Sequence, residues 1–235
     1  MSPIETPTFV QDWLKTVPEG TFDSLAPDPS RAAFFSADLI NGFVHHGPLA
    51  SPRVHGIVDD VVRLFTDGWN HGIREFVLLQ DTHDPSTPEF NSYPPHALKG
   101  DAESETIPEL ANLPFAQNLT VIEKNSLHPA VETTFNDWWD EHMDLNRAIV
   151  VGDCTDLCVY QLAMHLRLRA NALNLQDFDV IVPINSVQTF DIPDDPANPG
   201  TAHPGDFFHD VFLYHMASNG IRVVTGITTG KDEAR

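Results

Sequence analysis

The sequence predicts an α/β fold: a parallel sheet covered by helices on both faces. Three observations carry this. Short apolar runs recur along the chain, segments with helical spacing lie between them, and the runs are continuously apolar rather than alternating. Strands buried on both faces read that way, because neither side of the pleat meets water.

The elements follow in chain order. The first strand run is "AAFFSAD" at 32–38. Residues 51–71 then place Val54, Ile57, Val58, Val61, Val62 and Phe65 on one stripe of period 3.6, the mark of an amphipathic helix. "EFVLLQD" at 75–81 is the second strand run. Residues 84–117 are rich in Pro and polar side chains and read as a long ordered loop. Loops of that length in a compact domain are functional or disordered. "NLTVIEK" at 118–124 and "RAIVVGD" at 147–153 are further strand runs. Residues 156–171 return to helical spacing through Val159, Leu162, Ala163 and Leu166. "FDVIVPIN" at 178–185 is followed by a second polar loop at 186–206, a helical segment at 206–219 and a last run, "IRVVTGI", at 221–227. There is no internal repeat, and 235 residues suit a single domain spanning 1–235.

Composition excludes several classes. Hydrophobic residues make up 41%, so a packed core is expected rather than disorder. No apolar run reaches the roughly 18–20 residues that span a bilayer. The N-terminal "MSPIETPTFVQDW" lacks the basic and apolar regions of a secretion signal, so a cytoplasmic location is expected. The formal charge of −21 repels nucleic-acid backbones and anionic membrane surfaces, and neither is expected as a partner. The acids are spread along the chain, as on a solvated surface.

Parallel sheets bind ligands outside the carboxyl ends of their strands. Four of the six runs end there on an ionisable residue: Asp38, Asp81, Lys124 and Asp153. Any one of these simply ends a strand. Together, with a cysteine just after the last, they describe a convergent site. That cysteine is Cys158, which with Cys154 makes up the whole cysteine content of the chain. The pair admits four readings: a disulfide, half of a metal site, buried filler, or one working thiol beside an idle one. Two cysteines in this setting are no disulfide framework, and a zinc half-site would need a second Cys or His pair at ligand spacing. "VVGDCTDLC" reads as strand, turn and helix start, with Thr155 or Asp156 as N-cap and Cys158 in the first turn. There the helix dipole favours a thiolate. Lys124 suits a supporting cation and Asp38 a base. The backbone N–H groups of Cys154 and Cys158 suit an oxyanion hole. Residues 81–100, "DTHDPSTPEFNSYPPHALKG", carry Asp81, His83, Glu89 and His96, donors that suit Zn, Fe or Mn. By themselves these residues leave the metal open.

The set, in this order, resembles the isochorismatase-like cysteine hydrolases, and within them the nicotinamidase (pyrazinamidase) branch. The matching pieces are "FFSADLINGF", "QDTHD", "YPPHALKG", "VIEKNS" and "VGDCTDLCV", spanning residues 34 to 159. The resemblance implies a three-layer α/β/α sandwich around a six-stranded, mainly parallel sheet. It implies a catalytic triad of Asp38, Lys124 and Cys158, and the metal ligands Asp81, His83 and His96. Glu89, seven residues before His96, stands where some members place a fourth ligand. Phe43 and Tyr93 match aromatics placed around the substrate ring. The Asp153–Cys154 bond matches a non-proline cis peptide that aims the N–H groups of Cys154 and Cys158. The implied cofactor is one divalent ion, zinc first, then iron or manganese. The implied reaction turns nicotinamide, a small-molecule substrate, into nicotinic acid and ammonia through a thioester; a homo-oligomer is left open. Other readings are a related amidase of the superfamily acting on an N-carbamoyl compound or maleamate, an isochorismatase, and a non-catalytic binding protein on the same scaffold. Three departures, Ile40 for a polar Gln, Ala97 after His96 and Asp101 after Gly100, bear on the pocket rim rather than on the chemistry.

Overall fold

The structure is a computed structural model that describes residues 5–197 and 200–230. Its strands are β1 (Gly20–Thr21), β2 (Ala32–Ala37), β3 (Glu75–Asp81), β4 (Leu119–Lys124), β5 (Arg147–Asp153), β6 (Asp179–Pro183), β7 (Val187–Gln188), β8 (Arg222–Val224) and β9 (Ile227–Thr228). Six of them form one path, in the order β4-β3-β2-β5-β6-β8, and every pairing is parallel. The two-residue β7 adds to the end of β5, so the sheet has seven strands where six are expected. The last apolar run also divides. Its first part is β8, whereas β9 pairs with β1 in a separate two-stranded sheet.

Neighbouring residues of the same strand face opposite layers. On β2, Phe34 packs with Phe22, Phe65 and Phe76 under the helix Val58–His71. Phe35 packs on the other face with Phe135, Trp139, Val159 and Leu162, from the helices Phe135–Glu141 and Cys158–Ala172. Leu213 and Met216 of the helix Gly205–Ser218 complete that layer. This is the expected three-layer sandwich, and burial on both faces explains the continuous apolar runs. The stripe of 51–71 is two helices, Pro52–His55 and Val58–His71, separated at Gly56 and Ile57. The 84–117 stretch holds short helical turns, among them Pro88–Asn91, Ala102–Ser104 and Pro108–Ala111. No helix is long and apolar enough to cross a membrane, among the described residues.

The strand order fixes where the site forms. From β2 the chain builds outward to β3 and β4, then returns to place β5 on the opposite side of β2. The crevice where the order reverses lies between the carboxyl ends of β2 and β5. At that point Gly152 has φ +107°, and a Cβ there would lie 2.0 Å from the carbonyl oxygen of Ala37. Only glycine permits so close a strand approach.

Two histidines outside the cavity lining are held neutral. Burial, and then the His128 charge, lowers His165 to about 4. Burial, and then Arg53, lowers His209 to about 4. Their folded values lie below the ordinary 6.5, so the stability tied to their neutrality is full above that value. It is lost as pH falls from about 6.5 towards about 4. In an NMR titration, the imidazole signals of His165 and His209 are expected to stay in the neutral form through about pH 5. Ordinary titration near 6.5 would show both sites to be open to water.

Candidate active site

Each strand end predicted from sequence delivers its side chain to one place. Lys124 and Asp81 are register partners at the ends of β4 and β3. Asp38 follows β2 with φ +53°, an unfavourable backbone for a non-glycine residue. Its N–H donates to Leu79 O at 2.9 Å, and its Oδ1 accepts the N–H of Asp81 at 2.7 Å. The Lys124 ammonium lies 2.8 Å from Asp38 Oδ2 and 2.5 Å from Asp81 Oδ1, with all three groups buried. Its third neighbour is Cys158 Sγ at 3.5 Å. Asp38, Asp81 and Cys158 also cluster closely enough to suggest a second metal group. The ammonium among them already supplies the positive charge, so we read that cluster as an ion-paired acid–thiol site.

The charges have a definite balance. Burial, and then the neighbouring Asp81 charge, raises Asp38 to about 6 despite Lys124. Asp81 stays below the ordinary carboxylate value; burial works against this, but Lys124 and His83 outweigh it. Lys124 is pushed well up, because two carboxylates outweigh its burial. Cys158 departs from expectation. Burial, and then the Asp38 charge, pushes its thiol well above the ordinary value, outweighing Lys124. The helix N-terminus alone does not make a resting thiolate. The proton stays on sulfur, in a hydrogen bond to Asp38.

The cap is also different from expectation. The N-cap position is Leu157, which provides no side-chain cap, and Cys158 is the first helical residue. Thr155 and Asp156 instead turn away, to His209 Nδ1 at 2.8 Å and His203 Nε2 at 2.8 Å. The Asp153–Cys154 peptide is cis, as expected. Both cysteines are free.

The second group of donors adjoins the first. One ligand atom from each of Asp81, His83, Glu89 and His96 lies within 4.8 Å of the others. Their tautomers are set from behind. His96 Nδ1 donates to Pro94 O at 2.8 Å. His83 Nδ1 lies 3.2 Å from Asn125 Oδ1, an oxygen that also accepts the N–H of Asp84. Such outer hydrogen bonds leave Nε2 lone pairs for a metal. His83 Nε2 points at Asp81 Oδ2, 3.5 Å away, and Glu89 Oε1, 3.8 Å away. Buried His83 Nε2 and Glu89 Oε1 have no hydrogen-bond partner. Buried donor atoms that face one another at 3.5 and 3.8 Å without a good hydrogen bond fit a divalent cation, and this two-His, two-carboxylate set suits zinc, iron or manganese.

A cavity of about 470 Å³, counting its open mouth, joins the two groups. Cys158, Cys154, Asp81, Glu89 and His96 line it together with Phe43 and Tyr93. Sequence reasoning missed Phe190, which also lines it and lies in the unassigned 186–206 stretch. It placed Asp153 at a strand end without giving it a role. That carboxyl lines the cavity, is 1% exposed, and leaves Oδ2 without a hydrogen-bond partner. Burial, and then Asp38, pushes it well above the ordinary value.

Comparison with known proteins places the fold. The Isochorismatase domain family matches residues 32–194, more than half the chain. The chain belongs to the isochorismatase family. This isochorismatase-family hydrolase is similar to several amidases. It is 29% identical to nicotinamidase 1 of Arabidopsis thaliana over 209 residues, covering 81% of this chain and 84% of the plant enzyme. A nicotinamidase of Bacillus subtilis superposes with TM-score 0.65 at 23% identity, covering 83% of this chain and 99% of that one. An N-carbamoylsarcosine amidase of Thermoplasma acidophilum gives 0.63 at 22%, covering 87% and 99%. At these identities the two structures speak for the shared fold.

Proposed function

We propose that this isochorismatase-family hydrolase is a metal-containing cysteine amidohydrolase that converts nicotinamide to nicotinic acid and ammonia. The observation that carries this reading is the shared cavity, in which Cys158 and three of the four clustered donors, Asp81, Glu89 and His96, line one space with aromatics, while His83 completes the donor cluster from behind. A thiol alone would suit many acyl transfers. A thiol beside a cation site and aromatic walls suits a flat heteroaromatic amide. The similarity to the Arabidopsis nicotinamidase supports the same substrate.

A divalent ion held by these four residues supplies a Lewis-acid anchor for a ring nitrogen or water. The chain's own residues do the rest. Phe43 and Tyr93 flank the ring. Asp38 takes the Cys158 proton as sulfur bonds to the amide carbon. Lys124 holds Asp38 in place and offsets its charge. The carbonyl π electrons move to oxygen, which the N–H groups of Cys154 and Cys158 receive, each worth roughly 3 kcal/mol. Helix-start N–H groups have no intrahelical partner, so that of Cys158 is free for this. The oxyanion collapses, the C–N bond breaks, and Asp38 returns its proton to the departing ammonia. Asp38 then takes a proton from water as that water attacks the thioester. Sulfur leaves, regains the proton, and nicotinic acid departs. Asp38, raised to about 6, is near enough to neutrality to move protons both ways.

The test is ammonia release from nicotinamide by the purified chain, beside other small amides, before and after chelation. Release is expected to fall at least about a hundredfold on chelation and to return with zinc, iron or manganese. Release from an N-carbamoyl compound or maleamate alone would keep the triad and move the substrate. Release untouched by chelation would remove the metal from the mechanism.

A further inference from the structure

The stretch 186–206 carries no motif, yet the structure gives its described residues a definite place. β7 pairs with Gly152 and Asp153, so the chain runs beside the turn that bears both cysteines. Two residues later Phe190 reaches the cavity. His203 holds it there. The imidazole stacks on the Phe190 ring with centroids 3.8 Å apart at 20°, and Phe208 covers its other face at 4.5 Å and 18°. Nδ1 donates to Phe190 O at 3.0 Å, and Nε2 donates to Asp156 Oδ2 at 2.8 Å. Both nitrogens therefore face acceptors, which an imidazolium satisfies and a neutral ring satisfies only at one end. Between two aromatic faces that charge is further favoured.

The surroundings leave Phe190 little freedom. The backbones of Ile192 and His203 bond to each other in both directions, at 2.9 and 2.8 Å. Arg53 donates to Thr189 O and Gln188 Oε1, each at 3.0 Å. A Cβ on Gly205 would lie 2.6 Å from Phe190 O. At the other end of the clamp, Asp156 is buried two residues before the nucleophile.

We propose that His203 is a positioning residue that fixes Phe190 as one wall of the cavity and ties that wall, through Asp156, to the Cys154–Cys158 turn. The clamp so sets the fit of ring-bearing amides, which rests on reading the cavity as an amidase site. An arbitrary surface staple would join two indifferent segments. This one joins a cavity wall to the turn of the nucleophile. The turn keeps a second tether, Thr155 to His209 at 2.8 Å, so loss of His203 acts first on the wall.

The experiment uses the full, metal-loaded chain and the variants His203→Ala, Phe190→Ala and their double, with melting temperatures alongside. For nicotinamide, His203→Ala is expected to raise KM about tenfold while kcat falls less than about threefold. For propionamide, which has no ring to lean on Phe190, KM is expected to move less than about twofold. The double variant is expected to match Phe190→Ala, since both changes remove one wall. If His203→Ala does not fold, Asp156→Asn weakens the same clamp and carries the same expectation. A folded variant with unchanged nicotinamide KM, a fall in kcat alone, or additive effects in the double variant would overturn the proposal. A second readout needs no substrate. Alkylation of Cys158, located by mass spectrometry, is compared for iodoacetamide and a bulkier N-aryl iodoacetamide. The bulky-to-small rate ratio is expected to rise at least about fivefold in His203→Ala, as the wall loosens. An unchanged ratio counts against the clamp, whereas a parent enzyme inert to nicotinamide counts only against the proposed substrate.

Discussion

Replacing Cys158 with alanine is expected to abolish ammonia release while leaving substrate affinity within about threefold. Of the two thiols that line the cavity, the Cys158 sulfur is the one with Lys124 at 3.5 Å and Asp38 in hydrogen-bond contact. Its removal leaves the aromatic walls, the Asp81–His83–Glu89–His96 donors and the oxyanion N–H groups in place, so binding survives. The loss should exceed about a hundredfold in kcat, because without sulfur no thioester forms. Single-turnover kinetics and calorimetric titration of the variant separate the two effects. Residual turnover above about one hundredth of the parent rate would remove Cys158 from the nucleophile role. Cys154→Ala provides the contrast. Its thiol is pushed well up, chiefly by burial, and its part in the scheme is the backbone N–H, so turnover should persist.

Lys124→Met is expected to cost both activity and fold stability. The ammonium lies between Asp38 and Asp81, and Lys124, Asp38 and Asp81 are only 2%, 0% and 1% exposed. Methionine fills similar space but leaves two carboxylates facing each other without a counter-charge. Breaking such a buried pair from one side costs about 3–5 kcal/mol, far more than a surface ion pair. The denaturant midpoint should fall accordingly with an unchanged slope. Activity should vanish as well, since Asp38 would hold its proton and no longer accept one from Cys158. A variant as stable as the parent would show that the three groups do not share this buried arrangement. A stable, inactive Asp38→Asn variant would separate the proton-transfer role from the packing role.

Much of this site was legible in the sequence because its parts are local. Continuous apolar runs state that a strand is covered on both faces, and the residue ending such a run must lie at the sheet's carboxyl edge. Asp38, Asp81, Lys124 and Asp153 were found in that way: Asp81 and Asp153 line the cavity, and Lys124 joins Asp38 to Asp81 just behind it. The Asp81–His96 stretch was legible because its donors sit close along the chain, as ligands on one loop do. The helix Phe135–Glu141 was not identified, for its seven residues are too few to display a period. The cap at Cys158 was misread for a different reason. Thr155 and Asp156 are good cap residues locally, but their side chains find partners 54 and 47 positions away.

By itself, then, the sequence determined the layered fold, the strand-end chemistry and the donors of the loop, since each depends on neighbours along the chain. The tertiary structure decided which acids share Lys124, where the thiol proton rests and what walls the cavity. Strand order places β5 against β2, so Cys158 comes to face Asp38 across 120 positions of intervening chain. Burial then sets the charges, since desolvation depends on everything packed around a group rather than on its neighbours in sequence. Phe190 and His203 illustrate the same limit. Nothing in their spacing marks them, and only the fold stacks one on the other beside the nucleophile's turn.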